Sequence, residues 1–446
     1  MSAAKIDPIT LEVIRNRLRA ITEQIETNIV RTAYSALIYE YKDFAVGLVD
    51  HEGRLIAQGR GGIPLFVANI LGAAVSDGLA LYAEEGFQPG DIVLCNYSGV
   101  LGQHLNNVVM YTPVFAQPGD ATPCAFVSIV VHWADVGGRE IGSSSVNDTT
   151  SIFQEGIQFR TVKLYRGGKP VADIYRMIEF NTRFPRDVLG DVESQVAGCL
   201  LGRELYLETL RRYGAATVRA AIDLIWAQSE AAARQVVAAL PDGEYRAHSF
   251  LDDDGWAASD PVQIPVTVRI AGDRMTVDLS EIADVLRGPF NSGPRGGGET
   301  VARIAFNFLV DSDDGPNDGM YRPLDVVLPP GKFLSAPPEA PMARYSTPLP
   351  TVIDTILRAI GEAAPERLAA GHHSNFGVHM FSGRTRSGEL YKNMETVLGG
   401  DGATGMRDGS GPFKTYSHGD TQNVPIELQE ALYPLAFDRL ALRPDS

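Results

Sequence analysis

The chain is poor in cysteine: Cys95, Cys124 and Cys199 are scattered through 446 residues with no CxxC pair. That excludes a disulfide framework and a structural zinc knuckle, and it fits reduced thiols in a cytoplasmic protein. Positive charge is also scarce. The formal net charge is −16, and such a surface repels a phosphate backbone, which argues against a nucleic-acid partner. Long hydrophobic runs are missing. No window reaches about 18 consecutive apolar residues, so no membrane span is expected, and "MSAAKIDPITLEV" has no apolar core of signal-peptide length. Nucleotide motifs are absent too: there is no GxxxxGK[ST], and "NSGPRGGGET" (291–300) is not a strand–GxGxxG–helix arrangement. A glycine-rich loop before a helix is able to cradle an anion, but a flexible turn is the simpler reading. No GxSxG elbow surrounds the serines of "GSSSVNDTT" (142–150), so no serine nucleophile is assigned. "LDDDG" (251–255) lacks the spaced oxygen ligands of a calcium loop, and no HExxH occurs.

What is present is a large apolar fraction, 44% of the residues, enough for a sizeable core and two or three domains. Asp7 and Pro8 form a helix start, and Leu11, Ile14, Leu18, Ile21, Ile25 and Ile29 recur at the helical period. "DFAVGLV" and "RLIAQG" flank the turn "DHEG" as a hairpin, and "PLFVANILGAAVSDGLALYAEEG" reads as a helix ending at Gly86. "NVVMYTPVF" and "CAFVSIVVH" read as two strands joined by a short turn. Two long helical stretches meet at Gly214 and should pack antiparallel. "VQIPVTVRI-AGD-RMTVDLS" reads as a hairpin, and "PTVIDTILRAIG" is a helix within a Pro- and Gly-rich tail. The expected class is α+β: a mixed α/β region over 1–187, a helical hairpin over 188–240 and a β-rich part over 241–446.

Of eight histidines, two stand out. His104 lies in the loop before one of the paired strands, three residues ahead of Asn107, and His132 ends the other. Any one histidine in a strand-rich region is most simply a structural residue bonded to a carbonyl. The pair is different, because adjacent strands bring both imidazoles together, and two imidazoles with a carboxylate are the usual makings of a divalent-metal site. Asp43, at a comparable strand start, is the nearest carboxylate. Asp135 is the alternative, or a partner that orients the imidazole.

The succession "DPITLEVIRNRL", "KDFAVGLVDHEGRLIAQ", "PGDIVLCN", "HLNNVVMYTPVF", "HWADVGG", "IFQEGIQFRTVKLYRGG", "RGPFNSG" and "NVPIELQEALYPLAFDRLALRPDS" resembles the hydantoinase B family through nearly the whole chain. The resemblance implies a subunit of an ATP-dependent enzyme: a hydantoinase, oxoprolinase or lactamase opening a cyclic amide, or a ketone carboxylase of the acetone or acetophenone type. It implies that a hydantoinase A-like partner binds ATP and Mg, activating a ketone as an enol phosphate and bicarbonate as carboxyphosphate. It further implies catalytic roles for Asp43, His104 and His132, and a divalent metal (Zn, Mn or Fe) on Asp43, His104, Asn107 and His132. Here the sequence departs from the family: Asn107 stands where an aspartate is usual and Trp133 where a second histidine is usual. A neutral amide is the poorer ligand, so a catalytically silent scaffold subunit is a further expectation. Relatives run on beyond "LRPDS" into a glycine-rich segment; either the sequence is cut short of it or a separate small subunit supplies it.

Overall fold

The computed structural model describes residues 6–144, 147–256, 260–312, 315–419 and 421–441. Ser145, residues 1–5 and residues 442–446, on which the expectations about a nucleophile and the termini bear, lie outside them. The first helix, Pro8–Thr32, starts as its sequence implies: the Asp7 side chain caps the Thr10 amide at 2.9 Å. Its periodic stripe, Leu11 to Ile29, is buried, and each such side chain contributes about 1.5–3 kcal/mol on burial.

Seven strands form the main sheet: β1 (Phe44–Asp50), β2 (Leu55–Gln58), β3 (Ile92–Cys95), β4 (Asn107–Val114), β5 (Ala125–His132), β6 (Val162–Arg166) and β7 (Lys169–Pro170). Their order is β2-β1-β5-β4-β3-β6-β7, and every neighbouring pair is antiparallel. Strands β1, β4 and β5 are buried at every residue. They read as continuous apolar runs because helices cover both faces. On one face lies the long helix Pro185–Tyr213, with Gly198 and Gly202 against Ile129 and Val127 of β5. It runs antiparallel to the first helix, with Arg17 3.0 Å from Glu208 and Thr32 Oγ1 2.7 Å from Ser194 Oγ. Its main partner is therefore this distant helix, more than Ala215–Ala238, which follows it across Gly214.

The other face takes Pro64–Val67 and Ile70–Leu81, where Ser128 Oγ bonds Leu71 O at 3.3 Å. The single helix expected here is two, broken at 68–69 and ending at Leu81. The Asn69 side chain is drawn out to Glu299 Oε2 at 2.8 Å. Over its 18 residues, Pro64–Leu81 has mean hydropathy 1.5, long and apolar enough to pass for a membrane span by length and composition. In the fold its apolar residues Leu65, Ile70, Leu71, Ala74 and Val75 are core.

The second sheet contains β8 (Gly243–Leu251), β9 (Val262–Ala271), β10 (Arg274–Asp278) and β11 (Leu324–Val327), in the order β11-β10-β9-β8. In β9, buried residues alternate with more exposed ones, the signature of one covered face. Helices Gly298–Val310 and Leu349–Gly361 pack on this sheet. A last hairpin, β12 (Val378–Arg384) and β13 (Leu390–Thr396), precedes a tail that carries the short helix Ile426–Leu432. Helices and sheets are thus mixed as an α+β fold.

Candidate functional site at one end of the main sheet

Register alone gathers the first three residues. Asn107 of β4 pairs directly with His132 of β5. Phe44 pairs with Val131, and His132 N bonds Asp43 O at 3.0 Å, so Asp43 extends the same row. Directly opposed residues project from the same face of a sheet. Asp43, His132 and Asn107 therefore form one cross-strand row, on the face that carries Ile70–Leu81. His104 folds back onto this row: its Nε2 is 3.0 Å from Asn107 Oδ1, and its ring centroid is 4.9 Å from that of His132.

The glycine-rich loop 291–300 has a role here that its motif did not disclose. Gly293 N bonds Gly102 O at 3.1 Å, and a Cβ at Gly296 would lie 2.4 Å from Leu101 O. The glycines permit backbone-to-backbone contact with the segment that leads into His104. Trp133, just past the end of β5, projects to the opposite face, where its Nε1 donates to Gln195 Oε1 at 2.8 Å on the long helix. Asp135 is not a partner of His132. Its carboxylate is occupied by Arg183 Nη1 at 2.8 Å, Arg183 N at 2.7 Å and Gly142 N at 2.9 Å, and it ties the 135–143 loop to Arg183.

Four further residues arrive from the last quarter of the chain, and no sequence pattern assigned a role to any of them. Tyr345 OH accepts from Asn107 Nδ2 at 3.0 Å, and its ring lies 4.9 Å from His104. Lys414, only 1% exposed, sits 4.0 Å over the Tyr41 ring and donates to Asn423 Oδ1 at 2.8 Å. His418 stacks on Phe376 at 3.6 Å. Lys392 reaches in from β13 to Ala134 O at 3.1 Å. "KTYSHGD" placed a lysine and a histidine four residues apart, but nothing in that spacing named their destination.

Burial dominates the electrostatics. It pushes Asp43 up to about 7 despite the pull of Lys414 and Lys392. It pushes both lysines down to about 8, against the carboxylates around them. His104 is held down to about 4 by burial, and His132 well below its usual value by burial, then by His104 and Lys392. Both imidazoles are neutral at pH 7, beside a carboxyl and two ammonium groups that exchange protons near neutrality.

His104 has a lower pKa folded than the usual 6.5, so the unfolded chain binds more protons between pH 6.5 and about 4. The stability His104 contributes is complete above 6.5 and is lost as the pH falls through that window. H104Q, which keeps a neutral side chain, is expected to flatten the fall in Tm across it. Identical Tm–pH profiles for variant and parent would contradict this.

The donor set does not fit a divalent-metal centre. Among the described residues no three His, Cys, Asp or Glu side chains gather as metal ligands. Asn107 spends its amide oxygen on His104, and Asp43 already feels the positive charge of Lys414 and Lys392. The expected metal set of Asp43, His104, Asn107 and His132 thus shares one sheet end without closing around a metal. A separate cleft of about 410 Å³ lies at the other end of β1, between Asp50 and Trp226, away from this chemistry.

Among curated proteins, the B-type component of a D-/L-hydantoinase from Pseudomonas sp. strain NS671 is 30% identical over 452 residues, spanning 98% of this chain and 75% of that protein. The beta chain of the caprolactamase of Pseudomonas jessenii is 28% identical over 454 residues, spanning 99% and 75%. The crystal structure of the ATP-dependent caprolactamase from Pseudomonas jessenii superposes with a TM-score of 0.85 at 27% identity, over 98% of this chain and 74% of that one. Nucleotide-free acetone carboxylase shares the fold, with a TM-score of 0.84 at 18% identity over 96% of this chain and 58% of that one. The match to the family described as Hydantoinase B/oxoprolinase extends over residues 7–446, and the chain belongs to that family.

Proposed function

We propose that the chain is the hydantoinase B-like subunit of a heteromeric ATP-dependent ketone carboxylase, contributing the carboxylation site while a hydantoinase A-like partner binds ATP. The observation that carries this reading is the row of Asp43, His132 and Asn107 with His104 folded onto it, set against Lys392 and Lys414. Neutral imidazoles beside desolvated ammonium groups suit anionic reactants such as activated bicarbonate and an enolate. Cations in a low-dielectric site stabilise developing negative charge on oxygen. The buried setting also excludes the water that would hydrolyse labile phosphorylated intermediates.

A second reading is ATP-dependent opening of a cyclic amide, favoured by the 27% identity and TM-score of 0.85 to the caprolactamase. The two readings separate in one assay. With the ATP-binding partner present, ATP hydrolysis is expected to require both a ketone and bicarbonate. Turnover with hydantoins or lactams, indifferent to bicarbonate, would replace the first reading with the second.

A further inference from the structure

Lys392 is the group in this site whose position is hardest to explain as packing. The ammonium is held by two backbone carbonyls, Ala134 O at 3.1 Å and Gly142 O at 3.2 Å. An ammonium has three N–H donors, and among the described residues these carbonyls are its only hydrogen-bond partners, which leaves one donor over. Its stem passes over Gly142, where a Cβ would lie 2.5 Å from Cδ, Cε and Nζ. Any side chain at 142 would push the lysine out, so the backbone is shaped to admit it. Alongside, His132 is 3% exposed and its Nδ1 has no hydrogen-bond partner among the described residues. A buried polar nitrogen without a partner is destabilising, and a ligand that bonds it relieves that. The lysine's carbonyl partners belong to this end of the sheet: Ala134 lies two residues beyond His132, and Gly142 O also accepts from Asn106 Nδ2 at 3.0 Å, next to Asn107.

We propose that Lys392 and His132 together form a carboxylate-binding point, the free ammonium N–H taking one oxygen and the Nδ1 of His132, with its proton on that nitrogen, taking the other. The ligand class is a small carboxyl group: that of activated bicarbonate on entry, or of the carboxylated product before release. The positive charge that the family resemblance assigns to a divalent metal is carried here by a lysine. The assignment of this carboxyl group rests on the carboxylase reading, whereas the anion site itself does not.

The test uses acetate as the probe carboxylate, titrated by calorimetry into the full-length chain in complex with its partner. Saturable binding is expected for the parent. K392M is expected to bind acetate at least about tenfold more weakly, the loss of one charge-assisted hydrogen bond, while K392R stays within about threefold. Equal affinity of K392M and parent, or no saturable binding by the parent, overturns the proposal. Should K392M be recovered unfolded, the parent decides alone. Acetate must slow carbamoylation of Lys392 by cyanate, read by peptide mass, and equal rates with and without acetate overturn it. A complex that turns over lactams without bicarbonate would defeat the carboxylase reading, yet its acetate titration would still report on Lys392.

Discussion

Replacing His132 with alanine is expected to lower kcat of the assembled complex by about 10²–10⁴-fold, the range for losing a positioned proton-transfer group, with a change in Tm of only a few degrees. The turnover term comes from geometry. His132 pairs with Asn107 across the sheet, lies 4.9 Å from His104 and feels the charge of Lys392. The small stability term comes from its orphaned Nδ1. That nitrogen already destabilises the fold, so truncation removes a desolvation cost along with the packing it loses. Steady-state kinetics and a thermal melt on the same preparation read both quantities. Unchanged turnover in an intact complex would instead support the scaffold role that Asn107 and Trp133 suggested from sequence.

Trp133→Ala should behave in the opposite way, destabilising the chain by about 3–5 kcal/mol. Trp133 is 1% exposed and among the largest fully buried side chains. Its indole donates to Gln195 Oε1, and the Gln195 amide in turn bonds Val108 O at 3.1 Å. Truncation leaves a large cavity between β5 and the long helix and strands a buried amide oxygen. A urea titration measures the loss directly, and a midpoint within error of the parent would refute the packing argument. Two neighbours in sequence thus divide between chemistry and stability because successive strand residues project to opposite faces.

The same contrast between near and distant causes runs through the whole fold. The cap at Asp7, the β1–β2 hairpin, the β9–β10 hairpin and the pairing of β4 with β5 were legible in the sequence. Each is set by residues within a few tens of positions of one another, through helical or alternating periodicity and turn chemistry. The pairing of β4 with β5 also explains why strand placement was enough to bring His104 and His132 together. The break in the helix at 68–69 was not legible, because a residue more than two hundred positions away draws Asn69 out. The motif-like loop at 291–300 was equally opaque, since its glycines answer to the backbone at 101–102.

From its sequence alone the chain determined its α+β class, its main hairpins and the two histidines, because those follow from local patterns that a short window contains. Only the tertiary structure decided the rest of the site. It bonded Asp135 to Arg183 instead of His132, and it placed Tyr345 on Asn107 across 238 residues and Lys392 on Ala134 across 258. Such contacts leave no periodicity in the sequence. They are settled by which surfaces the strand order β2-β1-β5-β4-β3-β6-β7 leaves for the C-terminal segment to cover.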